Sequence, residues 1–144
     1  MKSLVFILVC ICILACNTTN NDSSKSNKNY VYKDLTVNFV RDTRVTTFIR
    51  DGKPISGTVT RKMRNGMKNV WNVEKGLAVK QTMYYPNGQM ERMLEMKNGV
   101  EHGIFVMYFS DGTKYVEQFY NNGEPTGVWH RWNKDGYLVE TIEY

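Results

Sequence analysis

The sixteen residues Asn121–Gly136, NNGEPTGVWHRWNKDG, contain three glycines separated by aromatic, charged and β-branched side chains. All eleven glycines of the 144-residue chain fall into three registers of this kind. Within a register the spacing is 22 to 24 residues, apart from one absent member near Val79. A fixed period of this length is typical of an internal repeat. The sequence therefore predicts four copies of one structural unit.

Seven of the glycines follow Asn or Asp, as in Asn122-Gly123 and Asp135-Gly136. Both residue types tolerate the positive φ angles of a type I′ turn, so these pairs predict tight hairpins between the flanking segments. The segments themselves, such as 127–132 and 137–144, are rich in aromatic and β-branched residues, which favour strands. Each repeat is therefore predicted to be a strand, a tight turn, a second strand and a slightly longer turn.

The stretch Asn98–Gly136, NGVEHGIFVMYFSDGTKYVEQFYNNGEPTGVWHRWNKDG, resembles the variant MORN (membrane occupation and recognition nexus) repeats. The shared pattern is Gly, a spacer, Gly, an aromatic residue two positions on, a further aromatic, then Asn/Asp-Gly and a Glu-containing second strand. The resemblance covers about residues 51–144. It implies an all-β fold, an elongated twisted antiparallel sheet of stacked β-hairpin repeats. Residues 76–80 depart from the pattern, so the second repeat is expected to be bent or loosely packed.

The N-terminus, MKSLVFILVCICILAC, has a cation at Lys2 and an apolar run from Leu4 to Ala15. The run is too short to span a bilayer as a stable helix, and residues 1–15 are typical of an export signal. Its end, ILAC, resembles the bacterial lipoprotein box, and the alternative is an ordinary signal peptide. The resemblance implies lipidation at Cys16 and a membrane anchor in the cell envelope. If the cell has two membranes, the expected location is the outer membrane, facing the periplasm. If it has one, the expected location is the outer face of the cell membrane.

The chain after the signal divides into three parts. Residues 16–29 form a lipidated, disordered tether, because 17–29, NTTNNDSSKSNKN, has no aliphatic or aromatic side chain that could join a core. Residues 30–50 are predicted to be an N-terminal β-hairpin cap, since two alternating runs are separated by a charged break. Residues 51–144 hold the four repeats.

Three aromatic residues are candidates for a binding surface: Tyr108, Trp129 and Trp132. Tyr108 and Trp132 recur at one repeat position, and Trp129 belongs to a second ladder that points to the opposite face of the strand. Such ladders commonly stabilise a sheet by packing on the next repeat. The other interpretation is that one aromatic face binds a partner, because exposed apolar patches often do.

Charge is concentrated in the first half of the domain. The segment 41–68 has eight basic and two acidic residues, a net charge of +6. An acidic protein or anionic lipid headgroups are the natural partners of such a patch outside the cytoplasm, and nucleic acid is not. The alternative is a solvated strand surface. The candidate basic residues are Arg44, Arg50, Arg61, Lys62 and Arg64.

Nothing in the sequence points to catalysis. The two histidines, His102 and His130, have no carboxylate or nucleophile fixed near them, and no motif for a metal or cofactor is present. We therefore expect a protein that is not an enzyme and has no cofactor. The variant repeats resemble those of YwqK-type antitoxins, which implies a protein-binding module that neutralises a toxin by contact. The alternative is a non-catalytic envelope scaffold whose basic strands contact anionic lipid.

The last predicted strand, residues 138–144, has no following segment to cover its edge in this sequence. An unpaired edge can accept a strand from another chain, although Glu140 and Glu143 discourage indiscriminate pairing. Docking or dimerisation through this strand is a further hypothesis.

Overall fold

A computed structural model of the chain describes residues 28–41 and 45–144. Within those ranges the chain is almost entirely β-structure in one open sheet, so the predicted all-β fold is confirmed. One 3₁₀ helix, Tyr32–Asp34, lies among the described residues, and no helix there is long and apolar enough to cross a membrane. The strands are β1 Asn29–Val31, β2 Thr36–Val40, β3 Val45–Arg50, β4 Lys53–Pro54, β5 Gly57–Lys62, β6 Lys68–Glu74, β7 Leu77–Tyr84, β8 Met90–Lys97, β9 Val100–Tyr108, β10 Lys114–Asn121, β11 Glu124–Trp132 and β12 Leu138–Glu143.

The order along the sheet is β1-β5-β6-β7-β8-β9-β10-β11-β12, and every pair from β5 to β12 is antiparallel. These strands are the four stacked hairpins that the glycine spacing predicts. The predicted antiparallel arrangement is confirmed for these repeats, whereas β1, which precedes them, pairs with β5 in the parallel sense.

Strand β1 begins at Asn29, the last residue of the predicted tether. The Thr58 amide donates a hydrogen bond of 2.8 Å to the Lys28 carbonyl, so the backbone of the predicted tether takes part in the sheet from Lys28 onward. Gly57 permits this approach, because a Cβ there would overlap the Lys28 carbonyl oxygen. Backbone pairing needs no apolar side chain, and composition alone therefore did not reveal it.

The two ends of the hairpins use different turns. At one end both central residues have positive φ, which confirms the predicted type I′ turns at Asp51-Gly52, Asn98-Gly99 and Asn122-Gly123. Lys75-Gly76 forms a fourth turn of this type, which the Asn/Asp-Gly pattern did not predict. At the other end the prediction is wrong, because only the glycine has positive φ at 66, 88, 112 and 136. There the loop contains three residues. Asp111, for example, does not have a positive φ, and it stabilises the loop by accepting a hydrogen bond through its side chain.

The loop around Asp111 shows the chemistry of the longer turn. The Gly112 amide donates to the Phe109 carbonyl at 2.9 Å, and the Phe109 amide donates to the Thr113 carbonyl at 2.8 Å. The Asp111 carboxylate accepts a 2.9 Å bond from the Thr113 amide. That bond stabilises the charged form and lowers the pKa of Asp111. The period of the repeat thus encodes two turn types in alternation.

The second repeat is shorter than its neighbours but well packed. In the third repeat the register shifts so that Glu95 lies opposite the three residues 102–104, with Gly103 at φ 97°. At the equivalent position of the second repeat, Asn72 pairs with Lys80 and Val73 pairs with Ala78, so only Val79 is unpaired in β7. The second repeat is one residue shorter at this point. The expectation of loose packing is therefore wrong. Buried side chains in this repeat are Ala78, Thr82 and Met83.

Side chains alternate between two faces of the sheet, and the strand register assigns them. Face A includes Val59, Trp71, Leu94, Phe105 and Trp129. Face B includes Tyr84, Tyr108 and Trp132.

The β2–β3 hairpin lies on face A over the first strands of the sheet. Phe48, in β3, is fully buried, and its amide donates to the Gly76 carbonyl at 2.8 Å. Three residues earlier, Val45 lies against Gly99 at the next type I′ turn, so β3 crosses the ends of successive hairpins. The predicted cap therefore covers part of one face and does not extend the sheet. The buried core beneath it is Phe48, Ile55, Val59, Val73 and Ala78.

Candidate functional site

The three aromatic candidates do not lie on one surface. Trp129 pairs with Ile142 on face A, whereas Trp132 is three residues further along β11 and points to face B with Tyr108. The predicted separation of the two ladders agrees with this register. A partner on either face can therefore contact only part of the predicted set.

Trp129 is the centre of an aromatic cluster on face A. Its ring lies 5.2 Å from the ring of Tyr120 and 4.5 Å from that of Tyr144, and both pairs are tilted. Its indole Nε1 donates a 3.0 Å hydrogen bond to the Phe119 carbonyl. The bond fixes the indole in the sheet, so the cluster presents a defined apolar surface. We call Tyr120, Trp129 and Tyr144 the aromatic cluster.

Charged residues border this cluster. Arg131 Nε donates a 2.8 Å hydrogen bond to Glu140 Oε2, which raises the pKa of Arg131. In the same row of face A, Arg92 Nε lies 3.3 Å from Glu91 Oε2, at ion-pair distance but without the alignment of a hydrogen bond. Both guanidinium groups remain well exposed, with 47% and 40% of their side-chain area accessible. The cluster is thus an apolar surface with the Arg131–Glu140 ion pair beside it.

Tyr108 and Trp132 on face B are packed by their neighbours. The Lys114 ammonium lies 5.2 Å above the Trp132 ring, and His130 lies 5.5 Å from that ring. The Tyr108 carbonyl accepts a 2.9 Å hydrogen bond from the Tyr85 hydroxyl. These contacts fit the interpretation in which the ladder stabilises the sheet through neighbouring repeats.

The basic candidates are likewise dispersed. Arg61 lies on face A with its guanidinium 4.7 Å from the Tyr32 ring, whereas Lys62 points to face B and Arg64 lies in a turn. Arg44 lies outside the described residues. The structure therefore does not gather these residues into one patch, because alternation separates neighbours along a strand.

Arg50 lies at the opposite end of the hairpins from Arg64. It lines a groove of about 550 Å³ together with Lys28, Lys53 and Tyr30, and its guanidinium is 5.9 Å from the Tyr30 ring. Sequence reasoning missed Lys28, because it belonged to the predicted tether. Asp51 also lines the groove, with its carboxylate 3.8 Å from Arg50 Nε, so three basic residues and one acidic residue give the groove a net positive charge.

Strand β12 is a free edge of the sheet. Its only strand partner among the described residues is β11, and all six of its residues are exposed. Five of the eight exposed large apolar residues in the described chain lie between 137 and 144. These five are Tyr137, Leu138, Val139, Ile142 and Tyr144.

The titratable groups of the described residues form no cluster suited to a metal ion. Among residues 28–41 and 45–144 there is no group of three or more His, Cys, Asp or Glu side chains that could hold a metal ion. His102 Nδ1 accepts a 3.4 Å hydrogen bond from the Asn122 amide. His130 Nδ1 is buried and has no hydrogen-bond partner within the described part of the chain. Cys16, the predicted lipidation site, lies outside the described residues.

The chain was also compared with known proteins. It matches no protein-family model, and no curated protein sequence matches it. The likeness to variant MORN repeats therefore stays a prediction from the glycine and aromatic spacing.

Proposed function

We propose that this chain is a lipid-anchored, non-enzymatic protein-binding module of the cell envelope that binds its partner through face A. The aromatic cluster bordered by Arg131 is the observation that carries the proposal. Trp, Tyr and Arg are the residue types that most often dominate binding energy at protein interfaces. Tyr144 is 56% exposed, so part of the cluster is directly accessible.

The position of the β2–β3 hairpin supports this choice of face. The hairpin packs on Val59, Val73 and Ala78, at the N-terminal end of face A, and leaves the cluster on β10–β12 at the other end. The cluster is thus joined to a rigid support without being covered by it.

The resemblance to antitoxin repeats implies a specific form of this function, in which direct contact neutralises a toxin. Lipidation at Cys16 would confine that contact to the envelope, so an immunity-like role there is part of the proposal. An antiparallel sheet with a rigid face can present the same contact surface without refolding.

The groove around Arg50 favours a second candidate function. Lys28, Arg50 and Lys53 line one groove beside β1, together with a single acidic residue, Asp51. Clustered cations close to a bilayer attract anionic headgroups. In this alternative the protein is an envelope scaffold that lies on the lipid surface.

The experiment that tests the proposal is affinity purification of the full-length protein from its native envelope, with mass spectrometry of the proteins recovered. Trp129→Ala removes the centre of the cluster, and Trp132→Ala is its matched control on face B. We expect a near-stoichiometric partner that is lost only with Trp129→Ala, while circular dichroism shows both variants folded.

Equal loss in both variants, or no partner at all, would refute the proposal for face A. Binding of the unacylated protein to anionic vesicles, abolished by Arg50→Glu, would instead support the scaffold. Vesicles of neutral lipid are the control, because they offer the same surface without the charge.

A further inference from the structure

The free edge of β12 adjoins face A, because Ile142 and Tyr144 point to that face, but its outward backbone groups carry an inference of their own. The edge combines exposed apolar side chains with backbone groups that no other strand satisfies among the described residues. Natural sheets usually protect such an edge with charge, proline or a covering segment. Here the two charged residues are Glu140 and Glu143, and Arg131 neutralises the first of them.

One observed hydrogen bond shows which backbone groups of β12 face β11 and which point away from the sheet. The Tyr144 amide donates to the Gly127 carbonyl at 3.0 Å, so the backbone of Tyr144 faces β11. Backbone groups alternate direction along an antiparallel strand. Those of Thr141 and Glu143 therefore point away from the sheet and can pair with another strand.

We infer that a second copy of this chain pairs antiparallel along β12, with a twofold axis through Ile142. The regular part of the strand supports this register. Val139 is bulged, because Arg131 pairs with Glu140 while Trp132 pairs with Leu138. Beyond this bulge the outward backbone groups are those of Thr141 and Glu143, and the residue between them is Ile142.

The twofold places complementary groups opposite each other. Thr141 of one copy forms a hydrogen-bonded pair with Glu143 of the other, and the same pair recurs across the axis. Ile142 lies opposite its own copy in the closer, non-hydrogen-bonded type of pair, which suits apolar contact. On face A, Tyr144 lies opposite Glu140, whose carboxylate is held by Arg131.

This register avoids the opposition of like charges. No glutamate faces a glutamate directly, although each strand carries two. A closed twofold arrangement also satisfies this edge on both copies at once, so pairing through β12 ends at the dimer. These features favour a second copy over an unrelated strand, because the match is present in the sequence of β12 itself.

The test exploits the fact that residue 142 faces its own copy. Two differently tagged forms of the full-length protein are expressed together, extracted in mild detergent and purified through one tag. Ile142→Lys alone and Ile142→Glu alone each place like charges on the axis, so we expect co-purification of the second tag to fall by about tenfold or more. Expression of the Lys form with the Glu form restores it to the wild-type level or above.

A second pair of variants tests the backbone. Thr141→Pro removes an outward amide, which an edge strand tolerates, and we expect it to abolish co-purification. Thr141→Val keeps the amide and the shape, so it is the matched control and retains the wild-type level. Circular dichroism checks that each variant folds.

Several outcomes would overturn the inference. One is a wild-type protein that does not co-purify with its tagged copy, and another is failure of the mixed Lys and Glu forms to associate. Recovery of a different protein that depends on the outward amide of Thr141, with no second copy, would also reject it. The face A proposal has its own readout, which is the partner lost with Trp129→Ala.

Discussion

Replacing Phe48 with alanine tests whether burial of one ring holds the β2–β3 hairpin on the sheet. Phe48 has no exposed surface, and its ring lies 5.6 Å from that of Trp71. Its amide donates to the Gly76 carbonyl at 2.8 Å, and its carbonyl accepts from the Ile55 amide at 3.2 Å. Because these bonds fix the backbone, the structure cannot readily close the space that the ring leaves. A phenylalanine-to-alanine change at such a site costs about 3–5 kcal/mol of the free energy of unfolding.

The magnitude is large against the stability of a domain, which is typically about 5–15 kcal/mol. With a urea dependence of about 2 kcal/mol per molar, the unfolding midpoint should fall by about 1.5–2.5 M. Tryptophan fluorescence is a suitable signal, because Trp71 lies against Phe48 and changes environment on unfolding. The urea transition of the variant is compared with that of the wild type under the same conditions.

Phe39→Ala is the matched control for this prediction. Phe39 belongs to the same hairpin but is 60% exposed, so its replacement should change the free energy of unfolding by no more than about 0.5 kcal/mol. An equal loss for the two variants would refute the reasoning, since it would mean that burial does not distinguish the rings. An unchanged midpoint for Phe48→Ala would refute the proposed packing of the hairpin.

Three further predictions concern the backbone and pH. Lys75 occupies a type I′ turn at φ 49°, so Lys75→Asn should raise the free energy of unfolding by roughly 0.5–1 kcal/mol, and an unchanged or lower urea midpoint would contradict this. Gly57→Ala places a Cβ against the Lys28 carbonyl, so hydrogen exchange at the β1–β5 pairing should quicken, whereas unchanged protection would argue against that contact. Burial, followed by the charges of Glu91 and Asp111, raises the pKa of Tyr85, so the folded state binds the phenol proton more tightly than the unfolded state. The stability that Tyr85 contributes is therefore present below its ordinary pKa of 10.0 and is lost as pH rises through the folded value. Tyr85→Phe should lessen the fall in urea midpoint above that pH, and an equally steep fall would count against the shift.

The hairpin repeats could be predicted because their signals are local. Pairs such as Asn98-Gly99 set the φ angles of a turn within a few residues, and alternation sets a strand over six to nine. Where the loop is one residue longer, as at Asp111-Gly112, the same type of pair wrongly predicted a type I′ turn. There the side chain of Asp111 accepts an amide bond, and its φ angle is not positive.

The candidate site was predicted only in part. The sequence predicts Trp129 and Trp132 as candidate binding residues because they are aromatic. Their spacing along the strand predicts that their side chains point to opposite faces of the sheet. The cluster around Trp129 also needs Tyr120 and Tyr144, which come from two neighbouring strands. Their repeat spacing was visible, but their approach to the indole depends on the register shift in β11, which a glycine period does not specify.

By itself the sequence determined the all-β class, the number of hairpins and the position of the edge strand. Only the tertiary structure decided that β1 runs parallel to β5 and that β2 and β3 lie on face A. It also decided that Arg50 lines a groove with Lys28 and not with Arg61. The physical reason is the range of the interactions. Turn geometry and alternation are properties of consecutive residues, whereas these placements come from burial and backbone pairing between segments that are distant along the chain.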